Sequence, residues 1–265
     1  GIYKLIRLPH RVADRPMPSI SIVDMKREFL RGNRSVLSTK LQQEIADVLQ
    51  KREQGILFLN RRGYASSILC PACGHARMCS HCDVPLKYHK NDGMLHCHYC
   101  GRKFPLERAC PNCGEPFYKL AGTGTERVEE EIRRLFPEAR VLRMDYDTTR
   151  KKDAHRLIFE SFQKGEADFL VGTQMISRGL DFPGVTLAAV LAADTMLTTG
   201  DFRQEERTFS MIEQVGGRAG RVHPGRVVVQ TYNPEHYAIQ YAAQHDYEGF
   251  YRQEIRFRKN ALRPP

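Results

Sequence analysis

The sequence predicts an α/β fold: a mostly parallel sheet with helices on both faces, and a double zinc-ribbon-like module inserted into it. Two observations carry that prediction. Short apolar runs alternate with amphipathic helical stretches along most of the chain, the pattern of βαβ units. All eight cysteines fall between Cys70 and Cys113, in four C-x-x-C pairs, just where that alternation stops.

Residues 1–37 read as an N-terminal extension packed on the sheet body. They hold Tyr3, Leu5, Ile6 and Leu8 in short alternation, a proline-bearing link at Arg15-Pro16-Met17-Pro18, and a strand over 19–24. Ser38 is placed to cap a helix with Leu41, Ile45, Val48 and Leu49 on one face, expected to close at Gly55. Residues 56–60 read as a fully buried strand that ends in Asn60-Arg61-Arg62-Gly63-Tyr64. Ligands of open α/β sheets bind at the carboxyl ends of strands, so polar and basic residues there are candidates.

Beyond the cysteines, Thr123 and Glu126 have the spacing of a capping box for a helix carrying Val128, Ile132, Leu135 and Phe136, which Pro137 stops. A strand is expected over 141–145, and a helix through Leu157, Ile158 and Phe162 to Gly165. Strands at 169–173, 185–191 and 227–231 enclose a helix over about 203–215. From Asn233-Pro234 the chain turns helical, aromatic and basic, with a break expected at Gly249. The expected division is 1–37 as extension, 38–66 with 118–233 as sheet body, 67–117 as insertion, and 234–265 as C-terminal helical segment.

Composition narrows the partners. With 41% hydrophobic and 27% charged residues the 265-residue chain is that of a folded protein with ample core. A formal charge of +10 points to an anionic partner, nucleic acid ahead of a membrane surface. No apolar run reaches the length of a membrane span, and no secretory leader is evident, so a cytoplasmic location is expected. Gly1 and the final Arg263-Pro264-Pro265 suggest a piece of a longer protein.

Clustered cysteines in a reducing compartment indicate metal, not disulfides. Two thiolates two residues apart grip one side of a tetrahedral zinc, and a second pair completes it, so eight ligands make two closed sites. Fourteen residues lie between Cys82 and Cys97, near the zinc-ribbon spacing. That favours a nested pairing, with Cys79, Cys82, Cys97 and Cys100 on one ion and Cys70, Cys73, Cys110 and Cys113 on the other. Sequential and interleaved pairings stay open. A four-thiolate site has no open position for water, so both ions are expected to be structural. His75, His81, His96 and His98 are then supporting or surface groups. Lys87, Tyr88, His89, Lys90, Arg102 and Lys103 give the insertion a face for nucleic acid or a partner protein, with a merely solvated face as the equal alternative.

Two stretches carry phosphate chemistry. Gln214-Val215-Gly216-Gly217-Arg218-Ala219-Gly220-Arg221 sets two arginines three residues apart among glycines, after a helical run. Guanidinium forks pair bidentately with phosphate oxygens, and glycine lets the backbone aim both forks together. Upstream, Gly172-Thr173-Gln174-Met175-Ile176-Ser177-Arg178-Gly179-Leu180-Asp181 follows the apolar run 169–171. The pair resembles motifs V and VI of superfamily 2 helicases. With the eight-cysteine insertion between residues 58–63 and 122–126, the chain resembles, over nearly its whole length, the primosomal protein N′ (PriA) family of bacterial replication-restart helicases.

That resemblance implies the second, C-terminal RecA-like lobe of an ATP-dependent 3′-to-5′ DNA helicase acting in replication restart and primosome assembly at stalled forks. It implies that Arg218 and Arg221 reach the γ-phosphate of ATP, with Arg221 as arginine finger. Gln214 would couple nucleotide state to lobe closure, and Gly179 and Asp181 would border the nucleotide. Asn60, Arg61, Arg62, Thr123, Thr125, Thr173 and Gln174 would face the tracked DNA strand through its backbone. ATP with Mg²⁺ would be held mainly by a first lobe, because this chain has no G-x-x-x-x-G-K-[ST] stretch. Alone, the chain is expected to bind nucleotide weakly and not to hydrolyse it. The implied partners are single-stranded and forked DNA, other primosome proteins and single-stranded DNA-binding protein, with no membrane. A non-enzymatic zinc-ribbon binding module is the competing reading, and it leaves both phosphate-type stretches without a task. A zinc hydrolase would need an open coordination position.

Overall fold

The computed structural model describes residues 15–59, 70–89, 92–116, 124–150, 153–173, 176, 182–197 and 201–264. Among these residues the main sheet has six parallel strands: β1 (Ser19–Asp24), β2 (Gln54–Leu59), β6 (Val141–Met144), β7 (Phe169–Gly172), β8 (Val185–Leu191) and β9 (Arg226–Thr231). Their spatial order is β1-β9-β8-β2-β7-β6. The inserted module supplies a separate antiparallel sheet of β3 (Lys87–His89), β4 (Met94–His96) and β5 (Lys103–Phe104).

Alternation along the strands decides which helices cover which face. Ile56, Phe58, Ala188 and Val190 point to one side, where they meet Phe162 of α4 (Ala154–Gln163), Ile212 of α6 (Gln204–Gly216) and Ile239 of α7 (Tyr237–Ala243). Leu57, Leu59, Leu187, Ala189 and Leu191 point to the other, against α2 (Thr39–Lys51) and α3 (Thr125–Leu135). The central strands β2, β7, β8 and β9 are buried on both faces, which is why they read as nearly unbroken apolar runs, whereas the edge strands β1 and β6 are only half-buried. In α2 the side chains of Leu41, Ile45 and Val48 are wholly buried. Each such side chain contributes about 2 kcal/mol through lost water contact. Ser38 caps that helix, its hydroxyl accepting from the Leu41 N–H at 3.2 Å.

Three expectations about helix ends are corrected. Helix α2 ends at Lys51 with Arg52 in the left-handed region (φ 55°), while Gly55 lies inside β2. A Cβ on Gly55 would sit 2.8 Å from the ring of Phe169 on the neighbouring strand, so the glycine serves sheet packing. Helix α3 is capped by Gly124 with no side-chain hydrogen bond, so Glu126 closes no capping box; Thr123 lies outside the described residues. The C-terminal break falls at residues 244–246, not at Gly249, between α7 and α8 (Tyr247–Asn260). His245 takes φ 55° there, and Asp246 caps α8 by accepting from the Gly249 N–H at 2.8 Å. Gly249 is needed because a Cβ would collide with that same carboxylate.

Two short helices were not foreseen. Strand β1 runs directly into α1 (Met25–Leu30), capped by Asp24, whose carboxylate accepts from the Lys26 N–H at 2.8 Å. The short helix α5 (Asp194–Leu197) follows β8 in the same way. Both open at the carboxyl end of the sheet.

Candidate functional site

The arginine stretch sits at the amino end of the sheet. Helix α6 descends along one face and ends at Gly216; Gly217 to Gly225 then turn back into β9. The turn is tight: the Arg218 and Ala219 N–H groups each donate at 3.0 Å to carbonyls three residues earlier, on Val215 and Gly216. Gly220, at φ +79°, donates its N–H at 3.1 Å to the carbonyl of Val185, the first residue of β8. Gly220 and Gly225 press together so closely that a Cβ on either would lie 2.8 Å or less from the other's backbone. Ala219 is fully buried, whereas Arg218 and Arg221 are half-buried and Gln214 is exposed. The backbone therefore pins both arginines beside the start of β8. Phe182 and Val185, which follow Gly179 and Asp181 in sequence, are buried at that same end.

Gly179, Asp181, Asn60, Arg61, Arg62, Thr123 and Gln174 lie outside the described residues. Two strand-contact candidates are described, and both are at the opposite, carboxyl end of the sheet. Thr173 follows β7 half-buried, its N–H donating to Met144 at 3.3 Å and its carbonyl accepting from Ile176 at 3.0 Å. Thr125 is buried, and its hydroxyl donates to Asp145. Asp145 also accepts from the N–H groups of Asp147 (2.9 Å) and Thr148 (3.0 Å), which folds the loop after β6. Burial opposes the charge on Asp145, but the Thr125 hydroxyl, the Thr148 N–H and the Arg143 guanidinium outweigh it and hold its pKa below the usual carboxylate range.

The cysteines form two four-thiolate clusters: Cys70, Cys73, Cys110 and Cys113, and Cys79, Cys82, Cys97 and Cys100. This is the nested pairing. Each C-x-x-C pair is the same knuckle: the first cysteine's N–H donates to the carbonyl five residues on, and its own carbonyl accepts from the residue four on. That fourth residue has positive φ in all four copies, at Gly74 (73°), Asp83 (49°), Gly101 (72°) and Gly114 (75°).

Sulfur spacings are 3.6 Å for Cys70–Cys113, 3.7 Å for Cys73–Cys110 and 3.8 Å for Cys79–Cys100. A tetrahedral zinc with metal–sulfur bonds of ~2.3 Å sets its sulfurs ~3.8 Å apart, so both clusters fit the ion. A disulfide, at ~2.05 Å, does not match these spacings. Burial pushes the Cys70 thiol up to about 12. Burial acts on Cys73 too, but the Asn112 amide and the His75 N–H outweigh it and bring that thiol to about 7. Among the described residues no histidine joins either cluster: His96 pairs with Asp92 at 2.8 Å, and His98 faces His89 at 3.0 Å.

The outer cluster lies against the carboxyl end of the sheet. Gly74 packs on Tyr232, just after β9, and a Cβ there would come 2.6 Å from Tyr232 Cβ. Arg34 reaches Glu115 at 3.7 Å across the same boundary. Sequence reading missed Asp194, a buried carboxylate in this region that accepts from the Thr231 hydroxyl and the Tyr232 N–H, both at 2.8 Å. An acid so soon after the apolar run of β8 was the available signal.

Comparison with known proteins agrees with this geometry. The PriA DNA helicase Cys-rich region (CRR) domain matches residues 79–105, and the Helicase conserved C-terminal domain matches residues 121–223. Replication restart protein PriA of Bacillus subtilis (strain 168) is 49% identical over all of this chain and 33% of its own length. The Synechocystis sp. protein of the same name is 46% identical over 98% of this chain and 32% of its own length. That of Treponema pallidum is 42% identical over all of this chain and 40% of its own length. Solved structures match only loosely: S. cerevisiae Dbp5 bound to RNA and ADP BeF3 gives a TM-score of 0.41 at 10% identity, over 88% of this chain and 40% of that one. The chain spans about a third of the length of the first two curated relatives. End to end, it is a homologue of the PriA replication restart proteins, with their Cys-rich region set into a RecA-like helicase C-terminal domain.

Proposed function

We propose that this chain is the second RecA-like lobe of an ATP-dependent 3′-to-5′ DNA helicase that restarts replication and assembles primosomes at stalled forks. The observation that supports it most is the arginine turn, fastened to β8 by the Gly220–Val185 hydrogen bond, with Arg218 and Arg221 at one end of the sheet. A first lobe facing that end would hold ATP and Mg²⁺. Arg221 would then act as the arginine finger, stabilising negative charge on the transferred phosphoryl group, with Arg218 beside it. Gln214, exposed in the last turn of α6, would sense the nucleotide as the lobes close, and Gly179 and Asp181 would border it.

The tracked strand would cross the carboxyl end of the sheet. Asn60, Arg61, Arg62, Thr123, Thr173 and Gln174 would meet its sugar-phosphate backbone, a mode of contact that ignores sequence. Thr125 would contribute through its backbone and through Asp145, since its hydroxyl is already engaged. Nucleotide and strand would thus lie at opposite ends of one rigid sheet, so closure at the first end displaces groups at the second. When bound, two zinc ions would brace the insertion without reacting. Forked and single-stranded DNA, primosome proteins and single-stranded DNA-binding protein are the proposed partners, in the cytoplasm.

Joining the chain to its first lobe and measuring DNA-stimulated ATPase tests this reading. Arg221→Ala should lower kcat by about 10³-fold or more, with a smaller change in KM for ATP. The isolated chain should show no turnover. An unchanged kcat in the variant would favour a non-enzymatic zinc-ribbon module.

A further inference from the structure

Between the outer cysteine cluster and the carboxyl end of the sheet lies a cavity of about 500 Å³. The Cys73–His75 turn lines it from the outer cluster, and Tyr232, Asn233 and Asp194 line it from the sheet body. Its volume falls in the range of small-ligand pockets. Lys26, His236, Asn112 and the apolar Leu197 complete the lining.

The polar groups are arranged for reading, not for catalysis. Asp194 is 5% exposed and bonded to Thr231 and Tyr232, so it is an acceptor held in place in the lining. His236 uses Nδ1 to accept from the Ala238 N–H at 3.3 Å, which leaves its proton on Nε2 as a donor. Burial depresses the His236 pKa, so the ring stays neutral at physiological pH. Asn112 and Asn233 add amides that can donate or accept, and Lys26 is a cation suited to a phosphate. Donors, acceptors, an apolar side chain, the neighbouring Tyr232 and one cation together match a nucleotide unit of a single strand.

Position points the same way. The cavity lies beyond β8 and β9, two to three strand spacings from β7, or roughly 10–15 Å. That is a few nucleotides from where the proposed strand path crosses Thr173.

We propose that this cavity receives one unstacked nucleobase of the tracked single strand, its edge facing Asp194 and His236 and its phosphate facing Lys26. The zinc-bound knuckle would then be the upper jaw of a base clamp whose lower jaw is the sheet end. This rests on the strand path of the proposed function, and it adds a base contact to a path otherwise made of backbone contacts.

Abasic scanning tests it. The zinc-loaded chain, restored to the full length of its relatives, is titrated with oligothymidylates carrying a single abasic site stepped along the strand. One position should weaken binding about 10-fold, the worth of one lost base contact. In Lys26→Ala/Asn233→Trp, which removes the cation and fills the cavity, the intact strand should bind about 10-fold more weakly and the penalty at that position should vanish. Asn112→Ala, which also gives up a 3.5 Å hydrogen bond to Cys73 Sγ, should reduce the penalty in part, compared at two zinc ions per chain. Equal binding wherever the gap is placed, or a penalty that persists unchanged in both variants, overturns the base clamp and leaves the strand path standing. Loss of all strand binding in the unmodified protein removes both.

Discussion

The outer cluster (Cys70, Cys73, Cys110, Cys113) and the inner cluster (Cys79, Cys82, Cys97, Cys100) are made from one knuckle used four times, with sulfur spacings that differ by 0.2 Å at most. They differ in what lies against them. The inner cluster carries its own small fold: β3, β4 and β5 surround Leu86 and Leu95, which pack with Cys79 and Cys97. Among the described residues the outer cluster has no such sheet; it rests on Tyr232 and is tied to the body through Arg34–Glu115. Identical coordination chemistry therefore serves two mechanical ends. One ion would hold a ribbon together, and the other would fasten that ribbon to the sheet.

Removing one ligand from each cluster should separate these roles, with the largest effects. Zinc content should fall from two ions to one in both Cys70→Ser and Cys79→Ser, because three thiolates leave a closed site open. In Cys79→Ser the damage should stay in residues 79–105, seen as rapid proteolysis there, while the sheet body melts within about 2 °C of the parent. In Cys70→Ser the knuckle over Tyr232 is lost as well. The body should then melt roughly 5 °C lower, from ~2 kcal/mol of lost cover at ~2–4 °C per kcal/mol. Equal melting shifts in the two variants would erase the distinction.

A gentler version keeps both ions. Gly74 and Gly101 occupy the same place in their knuckles, at φ +73° and +72°. Alanine at either position must adopt a left-handed backbone, which costs about 1 kcal/mol. Only at Gly74 does the new Cβ strike something: Tyr232 Cβ at 2.6 Å, whereas Gly101 has open space. Gly74→Ala should thus destabilise the body by about 2–3 kcal/mol in chemical denaturation, and Gly101→Ala should leave it near the parent value. The difference between the variants isolates docking from backbone strain.

How much of this was legible in the sequence follows the range of the forces involved. β8 and β9 were found within a residue because a strand buried on both faces writes itself as a local apolar run, and the half-buried β1 because its Ser–Ile alternation has the period of a strand. The two clusters were legible because C-x-x-C is a local motif, and the length of the hairpin between Cys82 and Cys97 favoured the nested pairing without excluding the others. What failed depended on partners distant in sequence. Gly55 looks like a helix stop until Phe169 is placed beside it, and Gly249 looks like a break until Asp246 turns its carboxylate inward. Thr125 reads as a polar contact, yet its hydroxyl goes to Asp145, twenty residues away. Asp194 drew no notice because the cavity above it exists only once Cys73 and Gly74 fold over Tyr232. The arginine turn lies between these cases. Its glycines and arginines are plain in the sequence, whereas its anchor on Val185 is not.

The smallest expected effect tests whether the four knuckles are equivalent apart from docking. Three of them place glycine at the left-handed position, but the second places Asp83 there, at φ 49°. Aspartate tolerates that region better than most residues, yet it retains a Cβ that crowds the following carbonyl. The backbone demands match: Asp83 donates its N–H to Cys79 at 3.0 Å, as Gly74 does to Cys70 at 2.8 Å. Asp83→Gly should therefore relieve strain without removing a ladder contact, set against the larger entropy of a free glycine in the unfolded chain. The balance should favour the variant by about 0.5 kcal/mol, read as a few-fold tighter hold on the inner zinc in chelator competition with the outer site unchanged. Weaker retention would mean that the Asp83 carboxylate itself supports the inner cluster. The second knuckle would then differ from the other three in its chemistry as well as its place.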